Sequence, residues 1–206
     1  MKHLKRLGLP VVAAMALVAF VGAGSASAAT SFTASATGKK LTNSTIEKEV
    51  WTITGSNTEC SNVTFTGVTE GTASGGLGFT STGLKVTPKW EGCAAFGFAA
   101  TVTNNGCDTL TTAGGLSHLT PETCTLTFVI NNIFAKCHVE ITGGQTIGGS
   151  TYSNAVVGII VAFNMGGIKA HVTQSSGLCP LTVGTHEMTL KGKTEFRAEG
   201  ANIAVD

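Results

Sequence analysis

Residues 49–54 read EVWTIT, and two later segments share their character, since residues 62–68 read NVTFTGV and residues 84–90 read LKVTPKW. In these segments apolar side chains alternate with threonine and charged residues, which is the period of a strand with one face on a core. The β-branched residues valine and threonine also suit a pleated, half-buried surface. The three segments therefore predict β-strands.

The same pattern continues along the chain and decides the fold class. Further strands are predicted at residues 98–103, 123–129, 138–142, 155–163, 168–173 and 187–197. Asn105-Gly106 predicts a two-residue hairpin turn, because both central positions of such a turn need positive φ. No window of a dozen residues beyond residue 28 carries helical periodicity with caps. We therefore expect one all-β domain with antiparallel strands, a β-sandwich or, alternatively, a closed β-barrel.

One stretch of the chain carries no charge. No Asp, Glu, Lys or Arg occurs from Ile141 to Ile168, and Ala155 to Phe163 forms its longest apolar run. A run that is apolar on both strand faces is typical of a central strand buried on both sides. The alternative interpretation is an interaction surface. The sequence favours a central, buried strand at residues 155–163.

The overall charge excludes several classes of protein. Only 12% of the 206 residues are charged, and the formal net charge is +1. This composition is not that of a charged disordered chain or a coiled coil. It also lacks the basic patches that bind nucleic acid or an anionic membrane surface. We predict no nucleic-acid partner.

The first 28 residues have the pattern of a secretory signal peptide. Lys2, Lys5 and Arg6 precede an apolar segment at residues 7–21, and Ala26-Ser27-Ala28 fits a cleavage site. The apolar segment is short for a membrane span, which needs about 20 residues. We expect cleavage before Ala29 and a mature domain of residues 29–206, with no membrane span after cleavage. The predicted location is extracellular or at the cell surface.

Six cysteines follow the predicted signal peptide: Cys60, Cys93, Cys107, Cys124, Cys137 and Cys179. An even number in an exported chain indicates three disulfides, and no pair has the close spacing of a zinc site. Successive strands of a meander are usually neighbours, so we predict sequential pairing: Cys60–Cys93, Cys107–Cys124 and Cys137–Cys179. The competing scheme joins Cys60 to Cys107 and Cys93 to Cys124.

A short core of motifs resembles a known group of proteins. The stretch Gly92-Cys93-Ala94-Ala95-Phe96-Gly97 is followed by Asn105-Gly106-Cys107. This combination is similar to a set of uncharacterised secreted bacterial proteins with several disulfides. The resemblance implies secretion and a disulfide-stapled β fold. It implies no catalytic residues.

No catalytic, cofactor or metal site is predicted. Ser117 and His118 are adjacent in sequence, and the residues after position 28 include only two aspartates, Asp108 and Asp206. The histidines His118, His138, His171 and His186 are interpreted as solvated or hydrogen-bonded strand and turn residues. Gly192-Lys193-Thr194 lacks the upstream glycine of a phosphate-binding loop.

Two groups of side chains have alternative interpretations. Glu47 and Glu49 could be paired carboxylates on one face of a strand, but a solvated, charged edge is favoured because Lys48 lies between them. Exposed Trp51, Trp90 and Tyr152 would be the candidates for sugar platforms. Six phenylalanines are predicted to be core residues: Phe65, Phe79, Phe96, Phe98, Phe128 and Phe163.

These observations favour a non-enzymatic binding or surface-associated module whose ligand or protein partner is unknown. The alternative is a small secreted hydrolase with an unfamiliar site, which would need a cleft that joins two carboxylates or a histidine, a serine and an acid. An outer-membrane barrel is disfavoured by the few aromatic residues and the six cysteines. The sequence does not define the ligand or the oligomeric state.

Overall fold

The computed structural model describes residues 31–69, 72–74, 78–81 and 83–206, and the predicted signal segment 1–28 lies outside them. The described part of the chain contains sixteen strands and no helix, so it holds no helix able to span a membrane. The strands are β1 (Phe32–Ala34), β2 (Lys40–Ile53), β3 (Ser56–Val68), β4 (Thr72–Ser74), β5 (Gly78–Ser81), β6 (Gly83–Ala95), β7 (Phe98–Asn105) and β8 (Asp108–Thr112). They continue with β9 (Leu116–Thr120), β10 (Thr125–Asn131), β11 (Ala135–Thr142), β12 (Thr146–Gly148), β13 (Ser150–Asn154), β14 (Ile159–Gly177), β15 (Gly184–Ala198) and β16 (Ile203–Val205).

Eight of these strands close into an antiparallel barrel. The order around the barrel is β2, β3, β6, β7, β10, β11, β14 and β15, after which β15 pairs with β2. These eight strands follow one another in chain order, as in an up-and-down barrel. The all-β class is confirmed, and of the two predicted architectures the structure has the closed barrel.

On one side the barrel wall consists of two tiers, which are two sets of strands placed one after the other along the barrel axis. The strand β6 pairs with β7 near its C-terminal end and with β8 near its N-terminal end. In the same way β14 pairs with β11 over its second half and with β13 over its first half. The tier of β8, β9, β12 and β13 therefore walls the end of the barrel that β7, β10 and β11 do not reach. A separate four-stranded sheet has the order β16-β1-β5-β4.

The predicted hairpin at Asn105-Gly106 is wrong, because β7 and β8 do not pair with each other. The chain turns a corner there and changes partner strands. Asn104 holds this corner, since its side-chain amide donates to the carbonyls of Pro88 and Cys107 and its oxygen accepts from the Cys107 amide at 2.6 Å. The tight turns occur instead at Thr54-Gly55 and Phe96-Gly97, where both residues of each pair have positive φ.

The predicted central strand at residues 155–163 is also wrong in its first half. The strand β13 ends at Asn154, and a turn closed by the Ala155 amide donating to the Gly158 carbonyl at 2.8 Å leads into β14. Val156 is 99% exposed at this turn, whereas Val161 in β14 is 1% exposed. Apolar character alone did not separate the turn from the strand. The second half of the predicted segment, from Ile159 onward, lies in β14, where it is buried on the inward face and half-buried on the outer face instead of buried on both.

The three disulfides of the structure join the cysteines in chain order. Cys60 and Cys93 face each other on the paired strands β3 and β6. Cys107 and Cys124 flank the excursion through β8 and β9, and Cys137 and Cys179 tie β11 to the segment after β14. Three such bonds fit an oxidising compartment.

The barrel interior is filled with apolar side chains while threonines and charged residues cover the outside. Phe65, Phe128 and Phe163 are buried core residues as predicted, whereas Phe96 and Phe98 are half-buried. The side chain of Phe79 lies outside the described residues. Trp51 and Trp90 are buried and Tyr152 is half-buried, so neither tryptophan forms an exposed sugar platform.

Candidate functional site

A small cavity lies inside the barrel, between the long strands and the part of the wall formed by β8, β9, β12 and β13. Its volume is about 50 Å³. Most of its lining is apolar, and the aromatic and polar members of the lining include Glu49, Trp51, Phe65, Trp90, Ser117 and Phe163. An eight-stranded barrel is wide enough either to be filled by its side chains or to hold one small ligand.

Glu49 brings the only carboxylate of the lining into this cavity. Its carboxylate oxygen Oε2 accepts a hydrogen bond from the indole Nε1 of Trp90 at 2.7 Å, and its other oxygen, Oε1, has no partner. The residue is 2% exposed. Burial raises the pKa of the Glu49 carboxyl to about 7, and the Trp90 hydrogen bond offsets part of that rise.

Glu49 lies inside by simple alternation with the buried Trp51 and Ile53. Two irregularities in the pairing of β2 with β15 turn Glu47 to the other side. Val50 pairs with Lys191, Glu47 with Lys193 and Thr45 with Thr194, so β2 carries an extra residue on each side of Glu47. Bulges of this kind redirect side chains relative to the simple alternation of a strand. Glu47 therefore lies outside, 66% exposed and 4.0 Å from the Lys193 ammonium, while Glu49 lies inside.

The interpretation of Glu47 and Glu49 as a solvated edge is wrong for Glu49, and the alternative of paired carboxylates is wrong as well. The strand β2 is no edge, since it pairs with β3 on one side and β15 on the other. The two carboxylates point to opposite sides of the barrel wall.

Gly192 makes room for the buried glutamate on the neighbouring strand. A Cβ at this position would lie 2.8 Å from Glu49 Cγ and 3.2 Å from Glu49 Cα, closer than real Cβ contacts allow without a shift. The Gly192-Lys193-Thr194 sequence thus lies in a barrel strand, where its glycine accommodates Glu49.

Trp51 supplies a second unsatisfied polar atom. Its indole Nε1 is buried without a hydrogen-bond partner. Its ring packs edge-on against Trp90, with centroids 5.8 Å apart, and against Phe128 at 5.2 Å. Since buried polar groups are almost always hydrogen-bonded, two unpartnered polar atoms on residues that line one cavity indicate a place for a bound polar molecule.

Ser117, His118 and Asp108 do not assemble into a catalytic group. The Ser117 hydroxyl is buried and lies 3.1 Å from the Thr111 hydroxyl, whereas the ring of His118 bonds the Thr146 hydroxyl at 2.8 Å. Asp108 accepts from the Thr87 hydroxyl and pairs with Lys85 at 3.1 Å.

The other three histidines of the described residues are also engaged at the barrel surface. His138 lies 3.5 Å from Glu140, His171 lies 3.3 Å from the Thr185 hydroxyl, and His186 bonds the Thr182 carbonyl at 2.7 Å. Within the described ranges, no three metal-ligating side chains come together.

A larger hollow of about 370 Å³ lies on the outside, lined by Ser35, Val157, Arg197 and the turn after β15. It is open to solvent, and its charged member Arg197 already holds Glu195 through two hydrogen bonds of 3.0 Å. The interior cavity has the enclosed apolar walls and the few converging polar groups of a ligand site. We therefore take the interior cavity as the candidate site.

Comparisons with known proteins find no significant match, either to a protein-family model, to a curated protein or to a solved structure. The resemblance to secreted bacterial proteins stays an expectation from the sequence.

The sequence analysis missed Glu49, Trp51 and Trp90 as members of one site. The available signal was weak: the chain has only two tryptophans, and each occurs in a predicted strand within two residues of a glutamate. A tryptophan in a barrel strand is equally consistent with a core residue, so the pattern alone did not indicate a site.

Protonation of Glu49 is expected to couple stability to pH. The folded-state pKa of about 7 lies above the ordinary value of 4.5, so the folded chain holds a proton that the unfolded chain releases. The free energy of unfolding should therefore fall as the pH rises from about 4.5 to 7, by on the order of 3 kcal/mol.

Urea unfolding of wild type and Glu49→Gln between pH 4.5 and 8 would measure this dependence. The glutamine still accepts from Trp90 but does not ionise, so we expect Glu49→Gln to match wild type near pH 4.5 and to exceed it at pH 8. Glu47→Gln is the matched control and should follow wild type throughout. Parallel curves for wild type and Glu49→Gln would contradict a buried ionisable Glu49.

Proposed function

We propose that the protein is an exported, non-enzymatic binding module that holds a small molecule inside its barrel. The observation that carries this proposal is the interior cavity, whose lining includes two residues with unpartnered buried polar atoms, Glu49 Oε1 and Trp51 Nε1. A bound molecule would supply the missing hydrogen bonds. Leaving such atoms unpaired in an apolar interior costs about 1–3 kcal/mol each.

Export is part of the same proposal. The predicted signal segment at residues 1–28 and the three disulfides both suit a protein that works outside the reducing cytoplasm. These two features support an extracellular or cell-surface location.

The hydrolase alternative gains no supporting observation among the described residues. The hydroxyl of Ser117, the ring of His118 and the carboxylate of Asp108 each have a different partner. Glu49, the one buried carboxyl of the described residues, is joined to an indole and not to a second carboxylate or a histidine. A binding role needs only the cavity and its polar atoms, without a catalytic group.

The cavity can be tested with a chemically varied set of molecules of four or five heavy atoms: 1-propanol, acetone, propylamine, propionate and propionamide. Trp51 and Trp90 are the only tryptophans of the chain and both line the cavity, so tryptophan emission reports its occupancy directly. Emission and the unfolding temperature would be followed as each probe is added to the secreted protein.

Leu126→Phe fills the cavity, and Leu181→Phe is its matched control because Leu181 is equally buried but does not line it. We expect at least one probe to bind wild type and Leu181→Phe, and to lose its binding to Leu126→Phe. If no probe binds wild type, or if binding survives in Leu126→Phe, the cavity is not a ligand site.

A further inference from the structure

No cationic side chain of the described residues pairs with the Glu49 carboxylate inside the cavity. Glu49 Oε1 has no partner, and the only group bonded to Oε2 is the neutral indole of Trp90. The charged side chains on the adjoining stretches of β2, β3, β6 and β15 lie on the outer face, where they are exposed or, for Lys193, half-buried. These side chains are Lys48, Glu59, Lys89, Glu91, Lys191 and Lys193. Glu49 is therefore neutralised either by a proton or by a bound cation.

The walls around Glu49 suit an organic cation. Trp90 bonds the carboxylate directly, and Trp51 lies against Trp90 with the ring planes at 71°. Phe65 and Phe163 line the same space. Aromatic rings attract ammonium groups through their quadrupole, most strongly for tryptophan and most strongly where water is excluded. Apolar walls also favour an ion that carries carbon atoms over a bare metal ion.

The cavity volume and the second unpartnered atom, Trp51 Nε1, further restrict the class of ligand. A volume of about 50 Å³ holds about four water-sized atoms, since one water needs roughly 10–15 Å³ of such space. The unpartnered Trp51 Nε1 is a donor and therefore needs an acceptor. An ammonium group alone cannot provide one, whereas a hydroxyl oxygen can.

We propose that the barrel binds a small primary amino alcohol, of the size of ethanolamine, with its ammonium group on Glu49 Oε1 and its hydroxyl oxygen accepting from Trp51 Nε1. This inference rests on the proposed binding function and assigns its ligand class. Because so small a ligand has few contacts, its dissociation constant is at best about 50 µM.

The test compares ethanolamine with three probes of similar size that each differ from it in one feature. Ethanolamine carries both groups, propylamine lacks the oxygen, 1-propanol lacks the charge, and propionate carries the opposite charge. Each would be titrated into the secreted protein at pH 8, with tryptophan emission and calorimetry as readouts. We expect ethanolamine to bind about 2–10-fold more tightly than propylamine, the range of one neutral hydrogen bond. Propionate should not bind.

Variants distinguish the contribution of the Glu49 carboxylate to binding from that of the cavity itself. Glu49→Gln should weaken ethanolamine binding about 10–100-fold, the range of a charge-assisted hydrogen bond, and should weaken binding of the uncharged 1-propanol much less. Glu47→Gln, the matched surface variant, should bind like wild type. In wild type the affinity for ethanolamine should fall about tenfold per pH unit below pH 6, because the proton on Glu49 then competes with the cation.

The outcomes distinguish the two proposals. If 1-propanol or propionate binds wild type but not Leu126→Phe, while neither amine binds, the binding function stands and the amino alcohol is wrong. Amine binding that is equal in Glu49→Gln and wild type overturns the assignment to Glu49. If no probe binds wild type, both proposals fail.

Discussion

Val161→Lys is expected to lower the free energy of unfolding by about 4 kcal/mol or more, which would largely abolish secretion of folded protein. Val161 is 1% exposed on the inward face of β14, where the same small space is lined by Phe65 and Phe196. A lysine there would bury an ammonium group in a space whose described lining holds no carboxylate. Urea unfolding followed by tryptophan emission, together with the yield of secreted protein, measures the effect.

Val156→Lys is the matched control, since Val156 is 99% exposed in the turn before β14. We expect its effect to lie within about 0.5 kcal/mol of zero. If Val161→Lys yields no protein, Val161→Ala provides the measurement, with an expected loss of about 2 kcal/mol for the deleted methyl groups. If Val156→Lys and Val161→Lys lowered the free energy of unfolding equally, the start of β14 would not lie between these two residues.

Removal of the Cys137–Cys179 disulfide by a double alanine substitution is expected to cost about 4 kcal/mol. The bond spans 42 residues, and constraint of a loop of this length in the unfolded chain is worth about that amount in the loop-entropy account. Removal of Cys107–Cys124, which spans 17 residues, should cost less, about 3 kcal/mol.

Chemical unfolding of the two double variants gives the comparison, and a peptide map without reduction checks the bonds themselves. We expect fragments that link Cys137 to Cys179 and Cys107 to Cys124. A fragment that links Cys60 to Cys107 would contradict the pairing, and an unchanged stability in either double variant would contradict the proposed contribution.

Much of the strand content was predictable from residue type. EVWTIT at residues 49–54 lies largely in β2, LKVTPKW at residues 84–90 lies in β6, and residues 187–197 lie in β15. In these segments the strand propensity of the β-branched and aromatic residues and their burial favour the same extended backbone. The predicted strands therefore agree with the structure. At residues 155–158 valine also has high strand propensity, but the chain turns there and the propensity is overridden.

The local turn chemistry was only partly predictable. Asn105-Gly106 has the preferred composition of a hairpin turn, yet Asn104 uses its side chain to bridge Pro88 and Cys107 across a corner. Phe96-Gly97 has a poorer composition and forms a hairpin with positive φ at both residues. The difference lies in which strands pair, and a turn dipeptide does not contain that information.

By itself the sequence determined the all-β class, most of the strands and an even set of cysteines suited to three disulfides, because these depend on residue type and on a period of two along the chain. The tertiary structure alone decided that the sheet closes, since closure depends on the register between β15 and β2, which lie more than 100 residues apart. It also decided that Glu47 lies outside, although Glu49 lies inside by simple alternation with Trp51. Extra residues in β2 opposite β15 change which side chains face inward, and such bulges are defined only by the partner strand.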